Sequence, residues 1–309
     1  MYGKTAFYLY ICTNEMLKNI IKNRKEQEMK EAKDLVAGVV GLGIIGGGVA
    51  TSLANSGRKT AVYNRTPGKY KNHPGCPPEE ESLKALAEKA DIIMVSVFDY
   101  AQCETVILGE GGLLENAKDG MVIVLLSTVS VDQAKYLGEK CAEKGVGFLD
   151  CGVTPGSKAA ENGLVGMIGG DEKTFEYAKP VLDDWSAAPI LCGPVGSGML
   201  VKVARNANTF CVWRVLTETC RICKAAGIDL NKYLEVCLTA DKVDNLFYNI
   251  VRHRASTEDG KLPERQRDMY PKFMGKDLHA SDQIVKDLGI ATPVRDLVIE
   301  LINDTADLV

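Results

Sequence analysis

The stretch "LVAGVVGLGIIGGGVATSLANSG", residues 35–57, constrains this chain more than any other. It opens with a short apolar run, Val36 to Val40, the pattern of a strand covered on both faces. Gly41, Gly43 and Gly46 follow in the spacing G-x-G-x-x-G, and the residues after them read as a helix. In a strand–turn–helix unit each glycine has its own task. Gly41 permits the tight turn, Gly43 lets the backbone approach a pyrophosphate, and Gly46 lets the helix pack closely on its strand. The helix start aims its N–H groups at phosphate, so Gly41, Leu42, Gly43, Ile44, Ile45 and Gly46 form one candidate cradle. In isolation a plain glycine turn would look the same. Gly47 and Gly48 prolong the run, and nothing in the sequence accounts for them.

The context gives the motif its weight. A second strand, "TAVYNRT" (60–66), ends about 20 residues later, where the ribose of a dinucleotide is read. An acidic residue there would bond the 2′-hydroxyl of NAD. This chain has Asn64, Arg65 and Thr66: no charge repels a 2′-phosphate, Arg65 can clamp one with two donors, and Thr66 adds a hydroxyl. The expected cofactor is NADP(H) in preference to NAD(H).

Further strands read at 90–98, 119–128 and 145–156, with helical segments between them. Such alternation predicts a parallel sheet covered on both faces, a Rossmann-type doubly wound α/β domain. Ligands of these sheets bind beyond the carboxyl ends of strands, which points to Val97, Phe98, Ser127, Thr128 and the "CGVTPG" loop. The segment 162–196 reads as strand, helix, strand and turn. From residue 196 the character becomes helical. "SGMLVKVARNANTFCVWRVLTETCRICKAAGI" reads as one long helix, apolar nearly all round and stopped by Gly227, that joins the sheet domain to an all-α domain. A polar loop is expected at 256–268. The division expected is a charged extension at 1–35, a dinucleotide domain at 36–195 and a helical substrate and dimerisation domain at 196–309.

Composition removes other classes. With a net charge of −4 and a pI near 5.6, no global basic field recruits nucleic acid or an acidic membrane. "AFYLYIC" at 6–12 is too short to span a bilayer and lacks a signal-peptide cleavage site. The run "NEMLKNIIKNRKEQEMKEAKD" is charged and helix-capable; residues 1–28 read as an upstream extension and Met29 as the expected functional start. The 10 cysteines suggest no disulfide framework, so they read as free thiols of a cytoplasmic protein; Cys220 and Cys223 fall within the helical pattern. His73, His253 and His279 are widely separated, and no metal site is expected.

Taken in order, these motifs resemble the β-hydroxyacid dehydrogenase family over about residues 36–300. That family includes 3-hydroxyisobutyrate dehydrogenase and, more distantly, 6-phosphogluconate dehydrogenase. The resemblance rests on "GLGIIGGGVATSLANSG", "NRT", "LLSTVS", "DCGVTPGSKAAENG", "GSGMLVKVARN" and "GKDL". It implies that Lys202 is the catalytic lysine and Asn206 the asparagine one turn later. It also implies that Thr154, Pro155 and Gly156 hold substrate, and that Lys276, beside Asp277, closes over cofactor and substrate. A homodimer or homotetramer paired through the helical domain is implied as well. Two departures stand out: Pro155 removes a backbone donor from the substrate loop, and Arg205 replaces a frequent asparagine.

Lys202 then has a physical task. As hydride reaches a carbonyl carbon, negative charge grows on oxygen, and a positioned ammonium stabilises that charge and delivers the proton. Burial lowers a lysine's pKa towards neutrality, which suits acid–base work. The expected activity is reduction of a small semialdehyde or keto acid by NADPH, or the reverse oxidation of a 3-hydroxy acid. The alternatives are an imine reductase on the same fold, which usually lacks the lysine, and a non-catalytic NADP-binding sensor or scaffold.

Overall fold

A computed structural model describes residues 32–243, 250, 253–254, 256–280 and 282–308. The extension at 1–28 and the start at Met29 lie outside the described residues. The chain divides into two compact units, the first ending at Arg205 and the second beginning at Asn206.

The first unit is built on a seven-stranded sheet. Its strands are β1 (Ala37–Val40), β2 (Thr60–Tyr63), β3 (Ile92–Val95), β4 (Val122–Leu125), β5 (Gly147–Thr154), β6 (Leu164–Gly169) and β7 (Ser186–Gly193), in the spatial order β2-β1-β3-β4-β5-β6-β7. Helices α1 (Ile44–Asn55), α2 (Leu83–Lys89), α3 (Tyr100–Leu108), α4 (Val131–Glu143) and α5 (Glu172–Leu182) connect them. β1, β3 and β4 are buried along their whole length, which is why they read as unbroken apolar runs.

Alternate residues of each strand enter different cores. Ala37, Val39, Ile92, Met94, Val122 and Val124 pack with Val49, Ala50 and Leu53 of α1 and with Phe175, Ala178 and Val181 of α5. Val40, Ile93, Val95, Ile123 and Leu125 pack with Leu86 of α2, Ile107 of α3 and Leu137 of α4. The period of two along a strand thus covers both faces of the sheet.

Two expectations need correction. The sheet is not parallel throughout: β5 and β6 pair antiparallel, with Asp150 opposite Gly169 and Thr154 opposite Val165. Only residues 155–163, largely one 3-10 turn (Gly156–Glu161), separate them, too short a link for a parallel crossover. The strand read at 90–98 leaves the sheet after Val95, so Ser96, Val97 and Phe98 lie beyond the strand end.

The long helix α6 (Ser197–Ala225) runs from the first unit into the second. It ends as expected near Gly227, whose φ of 75° suits glycine, and the Ile228 N–H donates back to the Cys223 carbonyl at 2.8 Å. Its start is not apolar-buried all round, however. Met199 is buried and Lys202 half-buried, whereas Leu200, Val201 and Val203 are exposed. Only the face carrying Gly198, Met199 and Lys202 rests on the sheet.

The second unit continues with α7 (Leu230–Val243), α8 (Glu264–Ala280), α9 (Asp282–Asp287), α10 (Pro293–Glu300) and α11 (Ile302–Thr305). α8 begins inside the segment expected to be loop, directly after Pro263, whose carbonyl accepts from the N–H groups of Gln266 and Arg267. Buried Glu218 accepts from the N–H groups of Val294 and Arg295 at the start of α10, each at 3.3 Å, and pairs with Arg214 at 2.9 Å. Among the described residues no helix is long and apolar enough to cross a membrane, and no group of three metal-ligating side chains exists. The nine described cysteines carry free thiols.

Candidate active site

The carboxyl ends of β1 to β4 border a cleft of about 630 Å³. Gly41 to Ile45 line it from the glycine turn, Asn64, Arg65 and Thr66 from the end of β2, Val97 and Phe98 after β3, and Ser127 and Thr128 after β4. Gly46 does not line it. A side chain there would run into the Gly41 carbonyl oxygen, so this glycine serves the packing of α1 against its own turn.

The turn has the shape of an anion cradle. Gly41 adopts a φ of 91°, and a Cβ there would collide with the Ser96 carbonyl. At Gly43, by contrast, a Cβ would meet nothing within 4 Å. The helices α2, α3, α4 and α5 are each capped by a side chain, Ser82, Asp99, Ser130 and Asp171 respectively. α1 has no capping side chain and no acidic residue in its first turn. Its first N–H groups have no carbonyl within the helix to bond, so they suit a phosphate. The residues present therefore fit a dinucleotide.

The walls are fixed by side chains that bond backbone. Asn64 Oδ1 accepts from the Leu42 N–H at 3.0 Å, and its Nδ2 donates to the Thr66 carbonyl at 2.8 Å. Asn64 therefore ties the glycine turn to the end of β2, a structural task beyond its lack of charge. Ser127 Oγ accepts from the Val97 N–H and donates to the Val97 carbonyl, both at 2.8 Å, which locks the ends of β3 and β4 together. Ile44 and Phe98 are 81% and 89% exposed, large apolar surfaces left at the cleft for a ligand to cover.

Sequence reasoning missed several lining residues, among them Tyr63, Lys69, Ser96, Gln102 and Thr105. Lys69 is the informative one. It sits four residues after Arg65, in a loop whose backbone is gripped by Glu79: the carboxylate accepts from Gly68 N–H at 2.6 Å and from Tyr70 N–H at 3.2 Å. The spacing from Arg65 was a usable signal. Gln102, which accepts from the Phe98 N–H at 3.4 Å, left none.

Lys202 lies outside this cleft, on the sheet near the end of β5. Its Nζ donates to the Val153 carbonyl at 2.5 Å. Burial, reinforced by the neighbouring Arg205 charge, lowers its pKa below the ordinary lysine range, while the Cys151 thiol acts in the opposite sense. The approach needs Gly152, where a side chain would strike the Lys202 Cβ. The helix start is held by Asp150, a fully buried carboxylate that accepts from Gly196 N–H at 2.6 Å and Met199 N–H at 2.7 Å. Burial raises the Asp150 pKa, and these backbone donors oppose the rise. An acid in the middle of the apolar run "FLDCGV" was the available sign of such a role.

Thr154, half-buried, ends β5; Pro155 is exposed and Gly156 half-buried. None of the three lines the cleft. Their loop nevertheless rests on the glycine helix: a Cβ at Gly156 would lie 3.1 Å from Ile45 Cδ1. Ser52 Oγ donates to the Ala159 carbonyl at 2.9 Å and accepts from the Asn162 N–H at 3.0 Å. Asn206 is the first residue of the second unit, one turn beyond Lys202 on α6, and Lys276 lies on α8 in that unit.

Comparison with known proteins agrees with this geometry. Residues 36–193 match the model of the NAD binding domain of 6-phosphogluconate dehydrogenase. An uncharacterized oxidoreductase of Shewanella frigidimarina is 33% identical over 202 residues, which are 64% of this chain and 69% of that protein. The L-threonate dehydrogenase of Pectobacterium atrosepticum is 29% identical over 268 residues, covering 85% of this chain and 83% of that protein. A crystal structure from Mycobacterium avium, described as an oxidoreductase, superposes with a TM-score of 0.77 at 26% identity, covering 88% of this chain and 98% of that one. The fold and cleft define a pyridine-nucleotide-binding oxidoreductase. Within that class, the chain belongs to the β-hydroxyacid dehydrogenase family.

Proposed function

We propose that this protein interconverts a small 3-hydroxy acid and its semialdehyde or keto acid, with NADP(H) as cofactor and Lys202 as general acid and base. The observation that carries the proposal is Lys202 itself. It is a half-buried ammonium of lowered pKa, bonded to the carbonyl at the end of the strand that continues into Thr154, Pro155 and Gly156. The relative named L-threonate dehydrogenase fits a hydroxy-acid substrate. Arg65, Thr66 and Lys69, exposed together at the end of β2, support recognition of a 2′-phosphate, and Glu79 orders the loop that presents Lys69.

The chemistry a bound nicotinamide supplies is hydride transfer. Lys202 carries the proton: its ammonium donates to the carbonyl oxygen in reduction, and its neutral amine accepts from the hydroxyl in oxidation. Thr154 and Gly156 hold the substrate beside it.

The test is initial-rate oxidation of NADPH and of NADH with small semialdehydes and keto acids, L-threonate being assayed in the reverse direction. Turnover is expected with NADPH favoured, and Lys202→Ala should lower kcat by about 10²–10⁴-fold while NADPH still binds. Arg65→Ala should erode the preference for NADPH. Because the Lys202 pKa is lowered, reduction should slow as pH rises through that value and oxidation should quicken through it. Unchanged turnover in Lys202→Ala would refute the assignment. Nucleotide binding without turnover on any carbonyl would favour a sensor or scaffold.

A further inference from the structure

The cradle does not explain Gly47 and Gly48, but the surroundings of α1 do. Helix α1 is gripped from two sides. At Gly48 a Cβ would come within 2.5 Å of the Ala159 Cβ, in the loop after β5. At Gly47 a Cβ would fall inside the imidazole ring of His73. His73 follows the 3-10 turn Lys69–Asn72, and it is half-buried.

We propose that His73 is a positioning residue for the nicotinamide dinucleotide, acting through the peptide between Leu42 and Gly43. His73 Nε2 lies 3.1 Å from the Leu42 carbonyl oxygen. A carbonyl only accepts, so Nε2 carries the proton and donates. The Leu42 N–H is held in turn by Asn64. Both polar groups of Leu42 are therefore fixed by side chains from the loop after β2. In a planar trans peptide the C=O and the following N–H point in opposite directions. Fastening the Leu42 carbonyl to His73 therefore aims the Gly43 N–H away from the ring, and at Gly43 the structure leaves open space. The missing side chain at Gly47 is what allows the ring to reach that carbonyl.

His73 also closes a circuit. Its N–H donates to the Tyr70 carbonyl at 3.0 Å and its carbonyl accepts from the Cys76 N–H at 3.1 Å, so the ring is anchored in the same loop that brings Lys69 to the cleft. The two halves of the cleft, phosphate turn and ribose-side loop, are joined through one imidazole. The proposal rests on pyridine-nucleotide binding alone. It does not depend on the preference for NADP(H) or on the role of Lys202.

Fluorescence titration of the full chain with NADPH and separately with NADH tests it. His73→Ala should weaken both nucleotides about tenfold, as expected for loss of one directing hydrogen bond, and added imidazole should restore most of the loss. His73→Gln keeps a donor and should bind within about threefold of wild type, whereas His73→Leu keeps bulk without a donor and should match the alanine variant. Gly47→Ala should weaken binding in the wild-type background and have little effect in His73→Ala, since the ring it would strike is gone. If the alanine variant fails to fold, the comparison of Gln with Leu carries the test. Equal affinity of the Gln and Leu variants would overturn the proposal. So would a loss that imidazole leaves unchanged, or an equal effect of Gly47→Ala in both backgrounds.

Discussion

Two helices of the first unit open on glycine-rich turns, and they have opposite fates. α1 follows Gly41, at φ 91°, and α6 follows Gly196, at φ 97°. At each start the first N–H groups have no partner within the helix and the helix dipole favours negative charge. At α6 the chain supplies that charge itself: buried Asp150 reaches from β5 to the N–H groups of Gly196 and Met199. At α1 it supplies none, and the turn opens into the cleft. The filled start is an anchor that carries Lys202 against the sheet. The open start is the proposed cradle for a ligand's phosphates. Glycine density does not distinguish them; the location of the nearest carboxylate does. Glu218 at the start of α10 repeats the anchored solution in the second unit.

This comparison can be broken by substitution. Gly198→Ala should have the largest effect, because the new Cβ would press on the Asp150 carbonyl oxygen at 2.5 Å and on the Gly169 nitrogen at 2.8 Å. A loss of about 3 kcal/mol in urea denaturation is expected from overpacking against backbone. Asp150→Ala should follow at about 2–3 kcal/mol, since two buried N–H groups lose their acceptor, with Asp150→Asn recovering part of it. If either variant melts like wild type, α6 is not anchored as described.

Gly43→Ala should behave in the opposite way. Its Cβ enters open space, so stability should stay within about 0.5 kcal/mol of wild type, while nucleotide affinity falls because the methyl occupies the cradle. A melting-temperature loss with unchanged affinity would erase the distinction between the two starts.

An ordinary cap gives a more modest loss than the α6 anchor. Asp171→Ala at the start of α5 should cost about 1 kcal/mol. Hydrogen bonding from Thr174 holds the Asp171 carboxyl below its usual range. A depressed carboxylate stabilises the fold above its unfolded pKa and loses that contribution as pH falls through the folded value. The difference between wild type and variant should therefore vanish in acid.

Much of the cofactor side was legible because its determinants are local. The spacing Gly41-Gly43-Gly46, the strand pattern and the end of β2 lie within about thirty residues, the length of one βαβ unit. The resulting cleft contains most of the residues read as cofactor-binding. The exceptions also have physical reasons. Gly46 serves packing, and Lys276 lies in the second unit. The surroundings of Lys202 were less legible. That Lys202 would share its helix face with Gly198 and Met199, leaving Leu200 and Val203 exposed, depends on which way the helix rolls on the sheet. Hydropathy along the helix does not encode that roll.

By itself, then, the sequence determined the alternation of strands and helices, the glycine turn and the helical character of the second half. Each follows from periodicities of two and 3.6 and from the backbone freedom of particular glycines. Only the tertiary structure decided that β6 turns back against β5, that His73 occupies the space at Gly47, and that Asp150 fills one helix start while the other stays open. Those outcomes join residues 26, 46 and 49 positions or so apart, as in His73–Gly47, Asp150–Gly196 and Asp150–Met199. Contacts at such separations depend on how the sheet brings distant strands together, which no local pattern specifies.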